Sequence, residues 1–239
     1  MPKSVVPIES NPEIFTALAH KLGVSPLLEF HDVFSISESD LLAMIPNPAY
    51  ALVLLFPLTV DYEAQRKEQD AQRPTYANEN LSVRWVKQTI KNGCGFYALL
   101  HAALNLPDSL VLYNSQVQSL KKASVSGRGP LSVAEVSELV ERMESKAYDD
   151  LAQQGSTAAP DADEDVLFHF LCFVKGRDGH IYELDGRRNG PVDLGEFEGE
   201  SADIVSQEKV RGKIQYYMDN ADEANKHNFS IMALAPGYD

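Results

Sequence analysis

The spacing of apolar and polar positions changes several times along the chain, and each change marks an element. Ser10-Asn11-Pro12-Glu13 opens a helix: a capping side chain, a proline in the first turn, then an acid near the positive end of the helix dipole. Gly23 stops it. Phe30 to Ile36 reads as a short strand, and Ser37-x-x-Asp40 caps a helical turn that Pro46 and Pro48 end. Ala49 to Phe56 is apolar at every position, the pattern of a central strand covered on both faces. Residues 61–80 are polar and weakly patterned, a loop or frayed helix, and Leu81 to Val86 is a candidate strand. Asn92-Gly93 breaks the chain just before an apolar helix that starts at Cys94. Ser132-x-x-Glu135 is a capping box opening a helix to about Tyr148, with Val136, Leu139, Val140 and Met143 on one face. Residues 149–165 hold Gly, Ser, Thr, Ala, Pro and acids but no aromatic residue, so they form a loop. Val166 to Val174 and His180 to Leu184 are strands, Ser201 to about Met218 is a helix, and Asn228 to Ala235 is a last strand.

The chain shows no internal repeat and no linker of domain-boundary quality. Its 239 residues therefore read as one α/β domain, residues 1–239, with a functional excursion at 149–165. The 21 Lys and Arg against 35 Asp and Glu give a net charge of −14, which disfavours binding along a nucleic-acid backbone. The charge suits a basic partner, although an acidic surface that keeps the chain soluble is the simpler explanation. Two cysteines, Cys94 and Cys172, make neither a disulfide framework nor the close pairs of a zinc site, and no HExxH is present. The N-terminus lacks a signal-peptide core, Pro2 stands where myristoylation needs glycine, and Ala49 to Phe56 is far short of a bilayer span. The expectation is a soluble, cytoplasmic, monomeric protein with no membrane partner, metal or cofactor.

In such a setting a lone cysteine is a nucleophile or a small hydrophobe. Cys94 follows Asn-Gly at a helix start, where the dipole and free N–H groups favour thiolate. By position alone it reads equally as a nucleophile or a buried structural thiol; Gly93 and Gly95 tilt the reading, since small neighbours let a substrate backbone come close. Cys172 lies in VLFHFLCFV and reads as core. Of six histidines, His101 shares a helix with Cys94 but stands about 10 Å up the axis, too far to bond it. His169 replaces an apolar residue on a strand, as a satisfied core histidine or as a base. If Val174 pairs with His180 across the 175–179 turn, Asp185 falls opposite His169, close enough to hold its ring. Asp185-Gly186 also reads as a plain turn. Gln88 lies before the helix, as a possible oxyanion donor or a solvated amide.

QTIKNGCGFYALLHA, LFHFLCFV and IYELDGRRNGPVDLG, in this order, resemble the ubiquitin C-terminal hydrolase family of cysteine proteases. VVPIESNPEIFTALAHKLGV, ALVLLFPLT and NFSIMALA extend the resemblance over nearly the whole chain, close to the small cytosolic, catalytic-domain-only members of yeast and animals, and fungal-like. The resemblance implies a papain-like α/β (α+β) fold: a central antiparallel sheet flanked by helices, with a knotted backbone. It implies Cys94 as nucleophile, His169 as general base and acid, Asp185 as the group orienting it and Gln88 as oxyanion stabiliser. It places Glu9, Asn11 and Glu13 against the basic surface around the ubiquitin tail. It implies that residues 149–165 cross over the active site and limit the leaving group. The implied activity is cleavage of small adducts and short peptide tails from the C-terminal glycine of ubiquitin or a ubiquitin-like modifier. Two other readings stand beside it: a non-catalytic ubiquitin-binding protein on the same fold, and a small-molecule amidohydrolase.

Overall fold

In chain order, the elements are α1 (Pro12–Leu22), β1 (Leu28–Asp32), α2 (Ser39–Leu42), β2 (Ala51–Pro57), α3 (Val60–Ala71), α4 (Cys94–Asn105), α5 (Gln116–Ala123), α6 (Val133–Ala147), β3 (Phe168–Lys175), β4 (His180–Leu184), β5 (Val192–Glu196), α7 (Glu208–Asp219) and β6 (Ser230–Pro236). They come from a computed structural model that describes residues 4–73, 82–123, 133–148, 167–199 and 203–238. The six strands form one sheet in the order β1-β6-β2-β3-β4-β5, each neighbour antiparallel. The all-apolar segment is β2, paired with β6 on one side and β3 on the other. Its alternation feeds two cores. Val53 joins α1 and α4 residues, including Phe15, Phe96 and Tyr97, on one face. Leu52, Leu54 and Phe56 join Val210, Ile214 and Tyr217 of α7 on the other. Truncating a side chain as buried as Leu54 to alanine costs about 2–5 kcal/mol.

The N-terminal helix forms as its sequence predicts. The Asn11 side chain accepts from the Glu13 and Ile14 amides, and Gly23 closes the helix at φ 104°. Elsewhere the structure corrects the sequence reading. The first strand is Leu28–Asp32 rather than Phe30 to Ile36, because its partner β6 ends at Pro236 opposite Leu28. The turn at α2 is held by Ser35 Oγ, which accepts from the Ser37 and Glu38 amides, rather than by a Ser37 cap. Val60–Ala71 is a regular helix capped by Thr59, where the sequence reads as loop or frayed helix, and residues 74–81 lie outside the described residues. Residues 82–86 make no strand. The Asn105 side chain bonds both backbone groups of Arg84, and the His101 ring contacts the Val86 backbone, so side chains of α4 take the place of a strand partner. The last helix starts at Glu208, not Ser201, because Asp203 turns the chain: its carboxylate accepts from the Ala49 and Ser206 amides. Strand β5 and helix α5 carry no pattern that singled them out. Ser132 of the capping box and the whole 149–165 segment lie outside the described residues.

Candidate active site

Asn92 takes the left-handed conformation at φ 61°, which turns the chain so that α4 starts at Cys94. From Cys94 to Leu104 every residue of α4 is buried. The helix runs through the core, and its first residue is therefore held on a rigid element. Gly95 serves that packing. A Cβ there would stand 2.6 Å from Ile8 Cγ1 and 3.2 Å from the Phe170 ring, and one on Gly93 would stand 3.3 Å from Ile90. The room these glycines make is taken by the protein itself, which corrects the expectation that they clear a path for substrate.

His169 near the start of β3 and Asp185 just after β4 converge on the head of α4. His169 Nε2 lies 2.7 Å from Asp185 Oδ1, both side chains buried. The other ring nitrogen is left for the thiol: Cys94 and His169 line the same cleft, and each shifts the ionisation of the other. The hairpin register differs from the one predicted. Val174 pairs with Tyr182, not His180, and Cys172 with Leu184. The shift is two residues, which preserves the alternation of side chains. Asp185 is thus a diagonal neighbour of His169 instead of directly opposite it, still within reach of an imidazole. A shift of one residue would have put the carboxylate on the other face.

Burial alone would raise the Cys94 thiol. The His169 imidazole, with the Phe170 and Gly95 backbone amides, outweighs it and brings the thiol below its ordinary value. Burial acts downward on His169, yet the Asp185 carboxylate and the Cys94 sulfur raise it to about 9. Burial would raise Asp185, but His169, the Arg187 amide and the Tyr62 hydroxyl hold its carboxyl well below the carboxylate range. The Arg187 amide donates to Oδ1 at 2.8 Å and the Tyr62 hydroxyl to Oδ2 at 3.0 Å. The arrangement favours a thiolate beside an imidazolium.

The three residues do not act on a bare surface. A cleft of about 450 Å³ opens beside them, lined by Leu58, Gln88, Cys94, Phe168, His169 and Arg187 among others. Gln88 is placed by its own backbone N–H, which donates to Gly186 O at 2.8 Å. A Cβ on Gly186 would stand 2.8 Å from Gln88 Cβ, so glycine is needed where the Asp185 loop docks. Gln88 Nε2 donates to Ile90 O at 3.0 Å, which leaves its second amide hydrogen available. Glu9, Asn11 and Glu13 are not among the cleft-lining residues. They lie just after Ile8, which packs on Gly95, and the Asn11 side chain is committed to capping α1.

Two supports escaped sequence reading. Helix α3 supplies Tyr62 to Asp185, and Arg66 of the same helix donates to Arg187 O at 3.2 Å and pairs with Glu63 at 3.0 Å. Trp85 donates from Nε1 to Asp185 O at 2.9 Å, and Lys87 Nζ to the carbonyls of Arg187 and Arg188. The legible signal for α3 was Thr59 as a cap with Arg66 and Asp70 four apart. His101 is a structural residue: burial depresses it to about 4, and its Nε2 lies 3.1 Å from the Val86 backbone.

A thiol–imidazole–carboxylate line set between a buried helix and an antiparallel sheet defines a papain-like cysteine hydrolase. The model of the ubiquitin carboxyl-terminal hydrolases, family 1, matches residues 5–219, and the chain belongs to that family. It is 36% identical to ubiquitin carboxyl-terminal hydrolase YUH1 of Saccharomyces cerevisiae over 241 aligned residues, which cover 99% of this chain and 98% of that protein. It is 37% identical to isozyme L1 of Rattus norvegicus, over 95% of this chain and 96% of that one. The fold matches the Trichinella spiralis UCH37 catalytic domain, solved bound to ubiquitin vinyl methyl ester. That match has a TM-score of 0.71 and 23% identity, over 98% of this chain and 95% of the other.

Proposed function

We propose that this chain is a deubiquitinating thiol hydrolase that cleaves adducts from the C-terminal glycine of ubiquitin or a ubiquitin-like relative. The observation that carries the reading is a cleft lined by both Cys94 and His169, in which a buried carboxylate holds the imidazole at 2.7 Å and the imidazole lowers the thiol. Family membership supplies the substrate class. His169 holds the proton of Cys94, and the thiolate attacks the glycine carbonyl, forming the C–S bond. The Gln88 amide and the Cys94 backbone N–H donate to the oxyanion; one such donor is typically worth about 3–4 kcal/mol. The intermediate collapses, the carbon–leaving-group bond breaks, and the imidazolium delivers its proton to the departing amine or thiol. Water deprotonated by His169 then attacks the thioester, releasing ubiquitin carboxylate and restoring the Cys94–His169 pair. No step calls on a metal or cofactor.

Sequence and family supply the rest of the reading. Residues 149–165 act as a gate over the cleft, so small adducts and short peptide tails pass and folded conjugates do not. Of Glu9, Asn11 and Glu13, the two carboxylates face the basic surface of ubiquitin, and Asn11 holds the start of α1 between them. The chain works as a single catalytic domain, monomeric and cytoplasmic. The paired thiol and imidazole argue against a purely binding role. Reaction with ubiquitin vinyl methyl ester followed by peptide mapping tests the reading. An adduct on Cys94 is expected; a chain that binds ubiquitin yet forms no adduct would be a binding protein.

A further inference from the structure

At the far end of α4 from Cys94, roughly 16 Å along the helix axis, lies a second cleft with a different character. Its volume is about 310 Å³, and Arg84, Asp108, Val111, Gln118, Lys121, Lys122 and Arg177 line it. Four cations thus face one carboxylate, on a chain whose net charge is −14.

Two of the four cations are already occupied. Lys121, 4% exposed, donates to Leu106 O at 2.8 Å beyond the end of α4 and pairs with Asp108 at 2.6 Å. Lys122 donates to Gln118 Oε1 at 3.0 Å and sits over the Tyr113 ring. Arg84 differs. It is 8% exposed, and its Nε is buried without a hydrogen-bond partner among the described residues. Arg177 is exposed and repels Arg84, so that both burial and a like charge disfavour the Arg84 cation.

The backbone fixes this opposition in place. Asn105 of α4 clamps Arg84 N–H and C=O, each at 2.8 Å. The Arg177 amide donates to Ser82 O at 2.7 Å, tying the β3–β4 turn to the Arg84 segment. Two guanidinium groups are therefore held at the same cleft by hydrogen bonds to their own backbones, with one carboxylate among four cations. Asp108 offsets this only in part, and a buried guanidinium nitrogen without a hydrogen-bond partner costs stability unless a further anion meets it.

We propose that this cleft is a binding site for a phosphate group, free or as a monoester. A guanidinium presents donors in a fork that matches phosphate oxygens, and a dianion balances more of the excess positive charge than a carboxylate does. Asp108 narrows the site rather than closing it, because Lys121 already pairs with it.

Thermal unfolding of the whole chain at constant ionic strength tests the site, with chloride replaced stepwise by inorganic phosphate, by glycerol phosphate or by acetate. A ligand that binds only the folded state raises the melting temperature as it saturates. Phosphate is expected to give a saturable rise that acetate does not. Arg177→Gln, at an exposed position, should lose most of that rise while keeping its turnover of a ubiquitin C-terminal amide. Arg84→Gln should lose it too; if that variant fails to fold, the Arg177 result decides. A larger effect of glycerol phosphate than of phosphate identifies a monoester as the ligand, and equal effects identify the phosphate group alone. A rise no greater than that in acetate, or one unchanged in Arg177→Gln, would overturn the proposal.

Discussion

Cys94 and Cys172 are both free, both buried and both in contact with the same strand, yet their thiols are pushed in opposite directions. Cys172 lies inside β3 among apolar side chains, where burial alone acts and lifts its thiol far above the ordinary value. Cys94 suffers the same burial but meets an imidazole and two backbone amides. His169 and Cys172, three apart on one strand, leave it on opposite faces, so the imidazole meets only one of the two sulfurs. Desolvation silences a thiol; a fixed cation next to it reverses the sign. The reactive site depends on the alternation of one strand as much as on the residue types.

This contrast can be broken most severely at its reactive end. Cys94→Ser should lower turnover of a ubiquitin C-terminal fluorogenic amide by about 10⁴-fold or more, since triad members act as a unit. Ubiquitin binding, measured by calorimetry, should survive. Asp185→Asn should cost about 10²–10⁴-fold in kcat, because the imidazole loses the carboxylate that orients and charges it. The same change should move the alkaline limb of the kcat/KM profile. In the parent protein that limb is expected near pH 9, where the raised His169 gives up its proton. The imidazolium's contribution to stability follows the same sign. It is fully present below the unfolded histidine value of about 6.5 and lost as pH rises through about 9.

Smaller effects sharpen the comparison. Tyr62→Phe removes one donor from Asp185 Oδ2 and leaves the ring packed against Phe56, so kcat should fall about tenfold with KM unchanged. An equal change in KM would assign Tyr62 to substrate binding. Cys172→Ala should leave turnover intact while chemical denaturation reports a loss of about 1 kcal/mol from the cavity it makes. Lost turnover with intact folding would mean that the second thiol takes part after all.

Cys94 and His169, the core of the candidate site, were legible in the sequence because each broke a local rule. Cys94 stood at the head of an apolar helix, and His169 interrupted an apolar strand. The pairing of His169 with Asp185 was anticipated through a register that proved two residues off, and it holds because strand alternation tolerates even shifts. What could not be read was the support. Tyr62 lies on a helix whose sequence is too polar to show a buried face, since that face packs through Tyr62 and the charged Arg66 and Asp70. Residues 82–86 carry strand-like composition, but the side chains of His101 and Asn105 satisfy their backbone, and no local pattern announces a partner fifteen or more positions away. Gly95 was misread for a related reason: its neighbour in space is Ile8, far back in the chain.

The central claim is that His169 ionises Cys94. It is tested most directly by the pH dependence of iodoacetamide alkylation at each cysteine of the folded protein, read by peptide mass spectrometry. Cys94 should react with a midpoint below that of an ordinary thiol, the midpoint should rise in His169→Asn, and Cys172 should stay unmodified until the protein unfolds. A Cys94 midpoint at or above the ordinary thiol value, unmoved by loss of the imidazole, would contradict the account.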